Sequence, residues 1–357
     1  MRVLMTVDTV GGVWTYGLDL ARHLRPLGID CTLAITGPCG AAHREQAARS
    51  GVAVRDTGLG LDWLAPSSRE VLQAGAAIAD LARRESADVV HLNAPALAAC
   101  REIDAPVVAA CHSCLATWWR AVHRAALPAE LAWHCSLLVR AYAEAQVLVA
   151  PTAAFSDATR RCYDLARAPY VVPNGRSTAG QPSLPMQDEV FVAGRLWDAG
   201  KNVAVLDRAA ARLPFPVRAA GPLQGPDGSS ITLRHAQALG VLRAEEVARH
   251  LAARPVFASL PFYEPFGLAV LEAAQAGCAL ILSDIPSLRE LWQDAAVFVD
   301  PHQEPGALIR RVVQDRAWRA RLGRAAARRA ARYSAEAMAA GMAAVYGSMV
   351  AKQERAA

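Results

Sequence analysis

The sequence predicts an α/β protein built from two parallel-sheet domains. Three observations carry that expectation. The length of 357 residues suits about two domains of ~100–200 residues each. Short apolar runs alternate with longer amphipathic stretches. That alternation then begins again after a break rich in Ser, Thr, Gly, Gln and Pro. Hydrophobic residues make up 53% of the chain and charged residues 20%, enough apolar side chain for a large buried core. Gly 24 and Pro 21 exclude a collagen-like or low-complexity chain.

In the first series Val3–Val7, Cys31–Ile35, Val52–Val54, Val89–His91, Val107–Ala110 and Val147–Ala150 read as strands. Trp14–Leu27 and Glu70–Arg84 carry helical patterns between them. Buried runs separated by helices need crossover connections, so the strands are expected to lie parallel. The chain then reaches Pro173-Asn174-Gly175, and residues 176–189 read as an interdomain linker. In the second series Val190–Ala193, Val217–Ala219, Val256–Ala258, Ala279–Leu282 and Ala296–Val299 are strand-like, with helices at Val203–Arg212, Ala244–Ala252 and Leu268–Ala276. Two open sheets facing each other are expected to form a cleft at the carboxyl ends of their strands, where such folds bind ligands.

Charge narrows the function. The formal net charge is +5, yet nine arginines and a single aspartate fall between Arg310 and Arg332. The excess is local rather than spread over a face, which argues against a nucleic-acid partner. That stretch is helical by composition. It reads either as a solvated face or as an attraction to an anionic membrane surface or acceptor. Of the 38 basic residues only Lys201 and Lys352 are lysines. Val3–Val7 ends at Asp8, too short for a secretory apolar region, so a cytoplasmic protein is expected. The longest mostly apolar stretch, Leu268–Leu282, contains Glu272 and Gln275 and is shorter than a membrane span of ~20 residues. With no export signal expected, the eight cysteines do not suggest a disulfide framework.

Four segments carry chemistry. The strongest is Leu260-Pro261-Phe262-Tyr263-Glu264-Pro265-Phe266-Gly267-Leu268, continuing to Glu272. Pro265 biases Glu264 towards an extended loop conformation, and Gly267-Leu268 opens a helix whose first amides form an anion site. One carboxylate thus lies on the loop and another about a turn inside the helix. Such a pair suits the hydroxyls of a sugar and a ribose on either side of a diphosphate. Taken singly, each glutamate reads as a solvated or capping acid; the whole run favours the ligand-binding reading.

The second segment is Ala193-Gly194-Arg195-Leu196-Trp197-Asp198-Ala199-Gly200-Lys201-Asn202. Five residues separate the glycines and Asn202 follows the lysine, so a P-loop and its Mg²⁺-binding hydroxyl are excluded. Arg195 and Lys201 remain as a cation pair suited to a diphosphate leaving group without a metal. The third is Asp8-Thr9-Val10-Gly11-Gly12, where paired glycines allow close approach to a ligand or simply form a tight turn. The fourth is Cys111-His112-Ser113-Cys114. His112 is a candidate cleft contact or proton carrier. A zinc reading through Cys111, Cys114, His134 and Cys135 matches structural-zinc spacings poorly. Trp118 and Trp119 follow, as stacking platforms for an acceptor or as core residues.

The Glu264–Glu272 run resembles the E-x7-E motif of retaining GT-B glycosyltransferases, and is most similar to glycosyltransferase family 4. Gly194-Arg195 with Lys201 resembles that family's diphosphate clamp, Gly11-Gly12 its N-terminal glycine loop and His112 its first-domain histidine. Val172-Pro173-Asn174-Gly175 resembles the turn before its linker. Ser113 stands where an acid is common after the histidine. No glycine-containing turn follows Ala279–Leu282. The resemblance implies residues 1–175 as an acceptor-side Rossmann-like domain, 176–189 as linker and 190–334 as the donor-side domain, with 335–357 crossing back to the first. It implies transfer of a sugar from an NDP-sugar to an acceptor hydroxyl, with no cofactor and no metal. By that resemblance Glu264, His112, Arg195 and Lys201 are catalytic, and Glu272 binds the donor ribose. Phe266, Gly267, Leu268, Gly11, Gly12, Gly221 and Leu242 complete the donor site, with Gly11 and Gly12 on its phosphate or acceptor side. A GT-B epimerase or phosphorylase and a non-catalytic nucleotide-sugar-binding protein are the alternatives.

Overall fold

A computed structural model describes residues 1–177 and 184–356, with side chains to residue 351. It divides into two compact units, Met1–Gly175 with Ala335–Ala357, and Arg176–Ser334. Residues 178–183 of the expected linker lie outside the described residues.

The first unit alternates strand and helix: β1 (Arg2–Asp8), α1 (Gly12–Leu24), β2 (Asp30–Thr36), α2 (Ala41–Ser50), β3 (Ala53–Asp56), α3 (Ser68–Arg84), β4 (Val89–Leu92), β5 (Val107–Ala110), α4 (Leu115–His123), α5 (Ala132–Glu144), β6 (Val147–Ala150), α6 (Ala153–Cys162) and β7 (Tyr170–Val171). The sheet has seven strands in the order β3-β2-β1-β4-β5-β6-β7. Each neighbouring pair is parallel. Strand order reverses between β1 and β4, whose register pairs Thr6 with Leu92.

The second unit contains β8 (Val190–Ala193), α7 (Val203–Ala210), β9 (Val217–Ala220), β10 (Gln237–Gly240), α8 (Ala244–Ala252), β11 (Val256–Ser259), α9 (Leu268–Gln275), β12 (Ala279–Ser283), α10 (Pro286–Trp292), β13 (Val297–Val299), α11 (Gly306–Gln314) and α12 (Arg316–Ala330). Six parallel strands run β10-β9-β8-β11-β12-β13. Alternation explains the unbroken apolar runs. Val190, Val192, Val256 and Ala258 enter the core on one face, while Phe191 and Phe257 enter the core on the other. The last helix, α13 (Ala335–Ala356), belongs to the first unit and packs on α1.

Sequence reading and structure part at three places. β7 and β10 are strands the sequence pattern does not indicate: β7 is only two residues long, and β10 opens on Gln237 and is mostly exposed. The arginine-rich stretch is two helices, because Asp315 leaves helical geometry (φ −84°, ψ 84°) and caps α12 by accepting from the Trp318 amide at 2.8 Å. Trp14–Leu27 ends its α-helix at Leu24, followed by a 3₁₀ turn at Arg25–Leu27 with Pro26 inside.

Candidate active site

In the second unit the strand order reverses between β8 and β11, the position at which open α/β sheets bind ligands. β8 runs into Gly194, at φ +150°. Gly221, beyond β9, has φ +143°, and a Cβ there would stand 1.8 Å from the Gly194 carbonyl oxygen. Only glycine permits that approach. Arg195 bonds to Asp198 at 2.9 Å, and the other carboxylate oxygen of Asp198 accepts from the Gly200 amide at 2.9 Å. The Asn202 amide nitrogen donates to the carbonyls of Leu260 and Pro301, both at 2.9 Å. The Phe262 amide donates to the Gly200 carbonyl at 2.8 Å. These bonds lace the loop after β8 to the loop after β11.

The lacing brings Lys201 and Glu264 together. Lys201 Nζ lies 2.7 Å from Glu264 Oε2, with side chains 22% and 14% exposed. The Glu264 carbonyl accepts from the Ser287 hydroxyl, which anchors the loop from α10. Phe266 is buried, and Gly267 caps α9 at φ +90°, with Leu268 the first residue of the helix. Neither a capping side chain nor a first-turn acid occupies the start of α9, so its amides and dipole remain directed at an incoming anion. Arg195 is paired with Asp198 rather than with either glutamate, and its Nε is buried without a hydrogen-bond partner among the described residues, an unfilled donor beside the same strand ends.

Glu272 sits inside α9. Its Oε1 accepts from Arg176 Nε and Nη2, each at 2.8 Å, and Gln275 holds the Arg176 carbonyl at 3.0 Å. The sequence places Arg176 in the expected linker, and its only sequence signal is its position directly after Pro173-Asn174-Gly175. Leu242 lies between β10 and α8, half-buried against the core that contains Phe266.

Gly11, Gly12 and His112 belong to the first unit. Gly11 is the N-cap of α1 at φ −166°, extended backbone that any residue adopts, so its conformation does not itself demand glycine. His112 follows β5 and bonds through Nε2 to Asn93 Oδ1 at 2.8 Å, with the Tyr16 ring edge-on at 4.5 Å between centroids. Burial lowers the His112 pKa to about 4. Burial, then the neighbouring His112, lowers that of His91 to about 3. His91 and Asn93 had no local sequence signal.

Cys114 caps α4, its sulfur accepting from the Thr117 amide at 3.4 Å. A hydrogen bond from the Cys162 thiol leads the effects that pull the Cys114 pKa down and push that of Cys162 up. Among the described residues no group of three or more His, Cys, Asp or Glu side chains is placed to hold a metal ion.

Residues 10–179 match the family model described as Glycosyltransferase Family 4, and residues 232–329 match Glycosyl transferases group 1. A segment of 83 residues is 36% identical to O-antigen chain mannosyltransferase B of Escherichia coli, covering 23% of this chain and 22% of that protein. Sucrose-phosphate synthase from Thermosynechococcus elongatus superposes with TM-score 0.77 at 16% identity, over 99% of this chain and 100% of that one. HepE from Anabaena, solved in complex with UDP-glucose, gives TM-score 0.74 at 17% identity, over 98% and 100%. At such identities the structural likeness shows the fold, which is GT-B. Two glycosyltransferase regions in one GT-B chain are the constitution of a transferase enzyme.

Proposed function

We propose that this GT-B transferase moves a sugar from a nucleoside-diphosphate donor to an acceptor hydroxyl, with retention and without a metal. The observation that carries the reading is the Lys201–Glu264 pair at the open start of α9. A diphosphate at that helix start competes for Lys201, and its departure from the carboxylate frees Glu264 to take a sugar hydroxyl. Arg195, with its unfilled Nε, adds a second cation. As the sugar–phosphate bond breaks, negative charge grows on the leaving oxygen, where fixed cations and helix amides act most strongly. Charge-assisted bonds of this kind are about twice as strong as neutral ones. Glu272, steered by Arg176, receives ribose hydroxyls. Gly267 and Leu268 offer backbone to the diphosphate, and Phe266 holds their loop in the core. Gly221 and Leu242 line the base side, and Gly11-Gly12 the acceptor side. His112 accepts a substrate hydroxyl.

Removing the charge of either partner tests this. Glu264→Gln and Lys201→Ala are each expected to lower kcat/KM by at least ~10-fold, or ~1.4 kcal/mol of transition-state stabilisation. Transfer unchanged in both variants would refute the assignment. A thermal-shift panel of UDP, GDP, ADP and their sugars identifies the donor, since ligand at ~100 times its Kd adds ~2.7 kcal/mol. Diphosphate release that requires acceptor separates transfer from epimerisation; binding without turnover would mark a non-catalytic protein.

No helix among the described residues is long and apolar enough to cross a membrane. Several arginines of the rich stretch serve the fold. Arg316 and Arg319 pair with Asp188, and Arg310 and Arg329 bond to carbonyls. Arg321, Arg324 and Arg328 are exposed along α12, at spacings that place them on one helix face. For a cytoplasmic enzyme, that stripe is the proposed weak contact with an anionic inner membrane surface. Co-sedimentation with anionic vesicles that disappears in Arg324→Glu tests it.

A further inference from the structure

Behind His112 lies a polar chain that the reading above leaves unused. Asn93 follows β4, beside the point where the order of the first sheet reverses. Its Nδ2 donates to the Thr6 carbonyl at 2.7 Å, and its own amide donates to the Thr6 hydroxyl at 3.0 Å. That anchoring turns Oδ1 towards two imidazoles, His112 Nε2 at 2.8 Å and His91 Nε2 at 3.1 Å. An amide oxygen only accepts, so both Nε2 atoms carry protons. Neutral rings with protonated Nε2 have a bare Nδ1. In His91 that atom accepts from the Tyr346 hydroxyl of α13 at 2.6 Å, and both residues are fully buried. In His112 Nδ1 has no hydrogen-bond partner among the described residues.

We propose that Asn93 is a positioning residue that locks His112 as its Nε2–H tautomer and so presents a bare Nδ1 as acceptor to a substrate hydroxyl, with His91 and Tyr346 bracing the amide from behind. This rests on the reading that His112 touches substrate. A free imidazole interconverts between tautomers, and the other tautomer would put a donor where a hydroxyl needs an acceptor. The surroundings keep the rings neutral. Tyr16 of α1 meets His112 edge-on, His91 faces it across Asn93, Tyr346 closes the far end from α13, and among the described residues no carboxylate hydrogen-bonds to either ring.

The first arm reads the tautomers of the wild-type protein. The full-length chain labelled with ¹⁵N-histidine is observed by NMR at pH 7, with the two rings assigned from His112→Gln and His91→Gln. Protonated Nε2 and bare Nδ1 in both rings are expected. An Nδ1–H ring, or averaging between tautomers at His112, overturns the proposal and leaves the glycosyl-transfer reading standing. The second arm is a pH profile. The wild type is expected to show no histidine titration in kcat/KM between pH 6 and 8. Asn93→Asp places a carboxylate against both Nε2–H groups, favours the imidazolium and converts Nδ1 into a donor. Its kcat/KM relative to wild type is expected to fall at least ~10-fold from pH 8 to pH 6. A constant ratio across that range would mean a merely structural role and overturns the proposal. His112→Ala with unchanged kcat/KM removes His112 from the function and takes the proposal with it.

Discussion

Asp207 shows how a buried acid is made to stabilise the fold. Burial alone would raise its pKa, but the amides of Ala236, His235 and Arg234 converge on its carboxylate at 2.8–3.1 Å and hold it below the ordinary value. This residue of α7 therefore fixes the chain entering β10. Asp207→Ala would leave three amides without their acceptor. Charged hydrogen bonds contribute ~1.5–3 kcal/mol each, and water recovers part of that, so a loss of about 3 kcal/mol in urea unfolding is expected. Because its folded pKa is depressed, the contribution is complete above the unfolded carboxylate value of ~3.9 and is lost as pH falls through the folded value. The acid limb of the stability curve should accordingly flatten in Asp207→Asn. His91 acts in the same direction higher up the scale. Its unfolded ring takes a proton near pH 6.5, whereas the folded ring resists until about 3. Stability should fall between those values by up to ~1.4 kcal/mol per pH unit, and His91→Gln should remove that slope.

Most strands were legible as elements because a parallel strand covered on both faces must be apolar throughout, as Val107–Ala110 and Val190–Ala193 are. β7 and β10 were not, since β7 is only two residues long and both lie at exposed sheet edges, where nothing forces a long apolar run. Glu264, Glu272, Arg195 and Lys201 stood out through local spacing. Asn93, His91, Tyr346 and Arg176 did not, because their roles come from tertiary contacts; His91 and Tyr346 are 255 residues apart in sequence. Helix packing holds a further signal invisible to propensity. In α12 a Cβ on Gly323 would stand 2.2 Å from the Gly277 carbonyl oxygen, whereas one on exposed Gly347 of α13 would meet nothing within 4 Å. Gly→Ala inside a helix ordinarily stabilises by ~1 kcal/mol. Gly347→Ala should gain close to that. Gly323→Ala should instead lose ~1–3 kcal/mol through overpacking, with the difference read as opposite shifts in Tm.

At the scale of the whole molecule, the chain leaves its first unit at Gly175, builds the second, and returns at Ala335. α13 supplies Met338, Met342, Tyr346 and Met349 to the core of the first unit, each nearly inaccessible to solvent. Burying side chains of this size contributes ~1.5–3 kcal/mol each, so four together rival the ~5–15 kcal/mol by which a domain is stable. The same helix carries the hydroxyl that fixes His91. A chain ending at Ser334 should therefore weaken the first unit selectively. Hydrogen exchange is expected to show lost protection in α1, β1 and β4, while β8, β11 and β12 retain theirs because their cores contain none of the described side chains of α13. Equal loss in both sheets would mean that α13 stabilises the molecule as one cooperative body. Unchanged protection in β1 and β4 would mean that the first unit is complete without it. The selective pattern would make the returning helix part of the fold of the first unit, and through Tyr346 part of the chemistry at His112.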